Sequence, residues 1–343
     1  MQIGAGILFI SMDEISIERI DDRVNLKIIL APMEGVVDAP MREILTRIGG
    51  IDQCVTEFIR VSERVLPAKV FRRISPELFN DSRTSSGTPV TLQLLGSDPR
   101  ILAGNARKAV SIGARGIDLN FGCPARTVNK SRGGAILLNE PELVHQIVWW
   151  VRQAVPAHIP VTAKMRLGFN DKSRALDNAA AIADAGACGL TVHARTKEEG
   201  YRPPAHWEWI ARIREQVAIP VTANGEVWNW QDYQRCREVS GCDDVMIGRG
   251  LVAAPDLGLR IKAWQRGDDP DHLSWPEMLL LLQQFLEMVE QQLAPKYVHG
   301  RIKQWLKMMS REYPEAMPML QQMRTLKQVA EVRQFLQQAV ESL

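Results

Sequence analysis

Residues 116–124 read Gly116-Ile117-Asp118-Leu119-Asn120-Phe121-Gly122-Cys123-Pro124. A short apolar run, Gly116–Leu119, gives way at once to polar and turn-forming residues. The same grammar recurs along the chain. Compact apolar or β-branched runs stand at Ile28–Ala31, Gln53–Thr56, Val90–Leu94, Val161–Lys164, Leu190–Val192, Val221–Ala223 and Val245–Ile247. Between them lie longer amphipathic stretches, among them Arg100–Ile112, Pro141–Val155, Asp177–Ala185, Trp207–Val217 and Trp230–Val239. Strands alternating with helices predict βαβ units and a parallel sheet. Eight such units over roughly 250 residues match the size of a (β/α)8 TIM barrel. A doubly wound sheet is the alternative; it usually needs fewer strands, and no Gly-x-Gly-x-x-Gly follows the first run.

In a barrel of this kind, chemistry gathers at the C-terminal ends of the strands. Polar or conformationally special residues should therefore follow each run, and they do. The first run ends in Pro32-Met33-Glu34-Gly35 and the second in Glu57. The third carries Gln93, and the fourth leads to Asn120 and Cys123. The fifth ends in Lys164 and Arg166, and the sixth in His193-Ala194-Arg195-Thr196. The seventh ends in Asn224-Gly225-Glu226 and the eighth in Gly248-Arg249-Gly250. A single lysine, histidine or glycine here is commonly a solvated charge, a structural histidine or a plain turn. Recurrence at every run is what a site requires. Gly225, Gly248 and Gly250 beside Arg249 fit a phosphate cradle of backbone N–H groups, or else two ordinary glycine turns.

After about Gly267 the pattern changes to helices alone: Trp275–Gln292, a second from about Val298 to Glu312, and two more after Pro314. The expected organisation is an extension over 1–26, a barrel over 27–267 and a small helical bundle domain over 268–343. The whole chain has 343 residues, 45% hydrophobic and 24% charged, with a net charge of +2; these are ordinary globular values. Five cysteines with no Cys-x-x-Cys pair argue against a disulfide framework, a zinc ribbon or an iron–sulfur site. The opening apolar run, Ile3–Ile10, is too short for a membrane span and lacks the flanks of a secretory signal. A cytoplasmic protein with reduced thiols, no metal and no membrane partner is expected. Nothing in the sequence demands an oligomer or a protein partner, so a monomer is expected.

Six segments taken together carry a resemblance. Ala31-Pro32-Met33-Glu34-Gly35, Asn120-x-Gly-Cys123-Pro124 with Gly133-Gly134-Ala135 downstream, Lys164-x-Arg166, His193-x-Arg195-Thr196, Asn224-Gly225-Glu226 and Gly248-Arg249-Gly250 are similar to the tRNA-dihydrouridine synthases. The likeness runs from about Lys27 to the C-terminus. Arg301–Leu306 and Lys69–Pro76 look most like the C subgroup, which acts on uridine 16. Arg126 and Arg132 depart from it, standing where the subgroup often has Lys and Gly.

The resemblance implies FMN as cofactor, NADPH (or NADH) as electron donor and tRNA as substrate. Pro32, Met33 and Glu34 would lie along the flavin, Gln93 at its pyrimidine edge, Lys164 near N1 and C2, and His193 at the ring or the phosphate side. Asn224, Gly225, Glu226, Gly248 and Arg249 would hold ribityl and phosphate. Asn120 would contact the target uridine, and Arg60, Tyr201, Arg301, Lys303 and Arg324 match positions that touch tRNA. Reducing the C5–C6 bond of uracil needs a hydride, which no side chain supplies, and a proton from a general acid. A thiol with an ordinary pKa near 8.5 is mostly protonated at neutral pH, so Cys123 suits proton donation.

From Gln291 to Arg311 there are five Lys/Arg and no Asp/Glu. His299, Lys303, Lys307 and Arg311 recur at i, i+4 and predict a basic helix face opposite an apolar stripe of Ile302, Trp305, Leu306 and Met309. The competing readings are a synthase for uridine 17 or 20, a free-pyrimidine FMN reductase of the dihydroorotate type, a Schiff-base aldolase using Lys164, and a non-catalytic tRNA-binding protein.

Overall fold

A computed structural model describes residues 26–342; the expected N-terminal extension lies outside the described residues, but for Leu26. Nine parallel strands are present: β1 (Ile28–Leu30), β2 (Gln53–Val55), β3 (Ile59–Arg60), β4 (Val90–Leu95), β5 (Ile117–Phe121), β6 (Val161–Arg166), β7 (Gly189–His193), β8 (Val221–Asn224) and β9 (Val245–Ile247). β1 pairs with both β2 and β9, β2 pairs with β4, and the ladder from β4 to β9 is continuous, so the sheet closes on itself. The architecture is a (β/α)8 barrel, and each of the eight sequence runs overlaps one of its strands, several of which run one or two residues further. The ninth strand, β3, continues β2 after a break at residues 56–58, and both lie along β4. At the break the Thr56 hydroxyl accepts the Gln93 N–H at 3.0 Å, doing the work of a ladder carbonyl.

Successive strand residues face opposite sides of a sheet. Leu92 and Leu94, Ile117 and Leu119, Val161 and Ala163, Leu190 and Val192, and Val221 and Ala223 all join the large apolar core between strands and helices. The opposite parity therefore faces the lumen. On β1, β2 and β9 it is apolar, with Ile29, Ala31, Val55 and Met246 packed as a cluster of their own. On β4 to β8 it is polar: Gln93, Asp118, Asn120, Thr162, Lys164, His193 and Asn224. Barrel interiors are normally filled with branched apolar side chains; half of this one is built for chemistry instead.

Helices start one to three residues earlier than expected where a proline opens them. The helix expected from Arg100 spans Pro99–Ser111, because Asp98 Oδ1 accepts the N–H groups of Arg100 and Ile101 at 2.9 Å and proline suits the first turn. The helix expected from Val298 spans Pro295–Met309; no side chain caps it, and only the proline in its first turn is shared with the other. After Trp275 the helices are Trp275–Gln292, Pro295–Met309, Ala316–Gln322 and Val329–Glu341. The expected stripe of Ile302, Trp305, Leu306 and Met309 is buried and belongs to the same apolar core as the barrel's outer face. Trp305 is fully buried, and its indole N–H donates to the Val252 carbonyl at 3.0 Å. Among the described residues no helix is long and apolar enough to cross a membrane, and no cluster of ligating side chains could hold a metal ion.

Candidate active site

The polar half of the lumen opens into a cavity of about 480 Å³ at the C-terminal ends of the strands. The turn after β5 sets its most reactive group. Asn120 Oδ1 accepts the N–H groups of Gly122 at 3.0 Å and Cys123 at 2.8 Å, folding the chain as it leaves the strand. Asn120 is itself oriented: its Nδ2 donates to Gln93 Oε1 at 2.8 Å, and Gln93 Nε2 donates to Asp118 Oδ2 at 2.7 Å. Thr162 donates to the other Asp118 oxygen at 2.6 Å. A carboxylate only accepts, so Asp118 fixes which way both amides point, and through them the backbone of the Cys123 turn. From below, Ala135 N and Asn129 Nδ2 donate to the Cys123 carbonyl. Gly134 leaves the needed room: a Cβ there would lie 2.7 Å from that carbonyl oxygen. Cys123 is 9% exposed and lines the cavity. Burial raises its pKa, only partly opposed by the Ala125 N–H, so the thiol is protonated at neutral pH.

Opposite parity neighbours supply charge. Lys164 is half-buried and donates to Asn224 Oδ1 at 2.8 Å, while Asn224 Nδ2 donates to the Met246 carbonyl. Burial and the nearby Arg166 push the Lys164 ammonium down to about 8, against the pull of Asp118. His193 is held neutral, its pKa lowered well below the usual value by burial and by Arg166, Lys164, Arg195 and Arg249. Its Nδ1 is buried with no hydrogen-bond partner among the described residues, as is Arg195 Nη1. Glu226 accepts from Arg195 and from the Trp228 indole N–H. Gly225 and Gly248 keep the wall bare; a Cβ on Gly248 would sit 3.2 Å from Met33 Sδ. A half-buried cation, an orphaned imidazole nitrogen and glycine-lined walls fit a flat, anionic, hydrogen-bonding ligand such as FMN.

Three comparisons bear on this arrangement. The profile described as Dihydrouridine synthase matches residues 29–343. A tRNA-dihydrouridine(16) synthase of Aquipseudomonas alcaligenes is 58% identical over 311 residues, covering 91% of this chain and 99% of that protein. One from Neisseria meningitidis serogroup B is 54% identical, covering 92% and 95%. The chain belongs to the dihydrouridine synthase family. Among solved structures, a 2-naphthoyl-CoA reductase in complex with 2-naphthoyl-CoA matches with a TM-score of 0.54 at 11% identity, over 73% of this chain and 51% of that one. At that identity the likeness concerns the fold alone.

In this dihydrouridine synthase the cavity brings together Cys123, Asn120, Tyr201 and every position expected to hold a cofactor: Pro32, Met33, Glu34, Gln93, Lys164, His193, Asn224, Gly225, Glu226, Gly248 and Arg249. The remaining positions expected at tRNA lie elsewhere. Arg60 is exposed and donates to the Thr127 carbonyl and to Ser131 Oγ, bracing the short helix Arg126–Lys130 after the cysteine turn. Arg324 is exposed, and Lys303 Nζ donates to the Arg324 and Leu326 carbonyls. Arg301 departs from expectation. All five of its N–H bonds are used: Nε and Nη2 reach Asp38, Nη2 also the Val36 carbonyl, and Nη1 the Gly35 carbonyl and Gln304. A guanidinium with no free donor has nothing left for a phosphate. Its side chain clamps the loop after β1 instead. Of the face the spacing predicts, Lys307 and Arg311 are exposed, while Lys303 is half-buried and engaged by two carbonyls. At Arg132, where the subgroup often has glycine, φ is 53°, the region that favours glycine.

Sequence reading passed over Asp118 and Trp228, and named Arg166 without a role. Arg166 donates to the carbonyls of Gly122, Thr196 and Gly200, tying the cysteine turn to the loop after β7. The signal for Asp118 was its parity: in Ile117-Asp118-Leu119-Asn120 the alternate residues are polar.

The Lys164 shift predicts a pH dependence. Its pKa is lowered in the folded protein, so it loses its charge as pH rises through about 8 rather than through the ordinary lysine range. Flavin affinity of the apoprotein should therefore fall across that interval, and Lys164→Met should flatten the dependence. Fluorescence titration at several pH values measures both; an unchanged pH dependence in the variant would contradict this role.

Proposed function

We propose that this chain reduces the C5–C6 double bond of uridine 16 in tRNA, with FMN as cofactor and NADPH as electron donor. The observation that carries the reading is Cys123: a protonated thiol, fixed by a directed chain of amides, opening on a cavity with a neutral imidazole, a half-buried lysine and bare glycine walls. Bound FMN supplies the hydride that no side chain can.

The protein's own residues do the rest. Cys123 releases its thiol proton toward C5 of the base and regains one from solvent. Asn120 and Asp118 keep the thiol placed without a base beside it. His193, held neutral, offers an uncharged ring nitrogen to its ligand. Lys164, while charged, favours negative charge on whatever lies against it. The base must leave its stack to reach this depth, so the protein has to hold the flanking strand. Residues 27–267 carry the chemistry, and 268–343 set how the tRNA is presented. NADPH has no dinucleotide fingerprint of its own and uses the same mouth. The protein acts as a cytoplasmic monomer.

The competing positions and substrates separate in one experiment. Dihydrouridine is mapped at each D-loop position in tRNA from a strain lacking this protein, with and without complementation. Loss at position 16 alone, restored by the gene, is expected. Loss at 17 or 20 would reassign the position, and an intact tRNA pattern with turnover of free pyrimidines would overturn the substrate.

A further inference from the structure

Along one wall of the cavity, arginines and aromatic rings alternate. The Arg166 guanidinium lies 5.1 Å from the Tyr201 ring centre. Arg249 lies 4.8 Å from Tyr201 and 4.8 Å from Trp228. Arg311 lies over the other part of the array, 3.9 Å from the Trp228 ring. The series starts at the cysteine turn, where Arg166 Nε donates to the Gly122 carbonyl, and ends just past the helix Pro295–Met309.

Its members are not equally committed. Arg166 is engaged by three carbonyls. Arg249 faces Glu226 at 3.7 Å. Trp228 is held by its indole N–H on Glu226 Oε1 at 3.0 Å. Arg311 is exposed and has no acidic partner among the described residues. A guanidinium stacked on a ring keeps its N–H edges free, and that fork matches a phosphate. Cations alternating with rings are what a single nucleic-acid strand requires, phosphate by phosphate and base by base. Lys307, one turn before Arg311 and also exposed, extends the positive track along the helix. That length suits a polymer better than a dinucleotide.

We infer that Trp228 and Arg311 form a subsite for the nucleotide next to the one whose base enters the cavity, with Arg311 on its phosphate and the indole as a platform. This rests on tRNA being the substrate. Holding the neighbour outside fixes the strand while the target base is extruded, so the subsite acts on tRNA recognition rather than on the chemical step.

The test uses the full-length flavin-loaded protein and an unmodified tRNA transcript at several salt concentrations, comparing Arg311→Ala and Arg311→Lys with the parent. NADPH oxidation without tRNA is the basal activity, and it should be equal in all three. Arg311→Ala should raise KM for tRNA roughly tenfold, the scale of one charge-assisted contact, with little change in kcat. Its salt slope for kcat/KM should fall by about one. Arg311→Lys should keep the slope and recover part of the affinity. Unchanged KM and slope in Arg311→Ala, with a parent that modifies tRNA, overturn this inference alone. So does a rise in KM confined to NADPH, which would make the phosphate that of the reductant. A parent that makes no dihydrouridine overturns the substrate reading, and the subsite with it.

Discussion

Cys123→Ala should fold, bind flavin and accept electrons from its reductant, yet form dihydrouridine roughly 10²- to 10⁴-fold more slowly, the range for losing a positioned general acid. The side chain is small and packs in a small apolar cluster with Leu95 and Val128, Phe58 and Ala125 at its edge, so truncation leaves a minor gap. Flavin absorbance, anaerobic reduction by the nicotinamide donor that serves the parent and dihydrouridine content separate the three functions. The pH profile carries the same information. Burial raises the thiol pKa, so the acid form persists through neutral pH, and protonation of the base should weaken only above the ordinary thiol range. Full product formation in Cys123→Ala would remove this residue from the chemistry.

Arg301→Ala should lose both stability and flavin. The side chain ties the helical region to Gly35, Val36 and Asp38. Asp38 is the N-cap of the helix Ala39–Ile48, and Gly35 closes the Pro32–Glu34 loop that lines the cavity. Removing one partner of a mostly buried ion pair costs about 3–5 kcal/mol, and the lower end applies because Asp38 keeps partial contact with water. Chemical denaturation should register that loss, and flavin should bind more weakly as the loop loosens. A variant with unchanged stability and flavin affinity, but a raised KM for tRNA, would return Arg301 to the RNA surface.

The two residues differ in how legible they were. Cys123 stands between glycine and proline at the end of an apolar run, where a core thiol has no reason to be, and its local sequence suffices. Arg301 lies on a basic helix with the spacing of a phosphate-binding face. Spacing gives the face of a helix but not what that face meets. Asp38, 263 residues away, is brought there by tertiary packing alone. The barrel was legible because β-branched runs and amphipathic stretches are local patterns; helix starts slipped by one to three residues, at Pro99 and Pro295 because proline belongs to the first turn, and at Ala175 without one. Strand β3 escaped because two residues carry no pattern. Asp118 could have been found by parity, since Thr162, Lys164 and Arg166 share the same alternation on the next strand. The Trp228 stack could not, because its arginines come from Arg249 and Arg311, on separate elements.

Closure of the barrel has a consequence for how the protein comes into being. Lys27 N meets Asp244 Oδ1 across 217 residues, and β1 cannot find β9 until both exist. Pairings of such long range form late and slowly. On a ribosome, the walls supplied by the turns after β1, β8 and β9 assemble only once about three-quarters of the chain has emerged, and the Arg301 clamp follows later still. Cofactor loading is thus a near-terminal event of biosynthesis, and a shortage of flavin should leave a chain that is fully translated but lacks the ligand that stabilises its last-formed face.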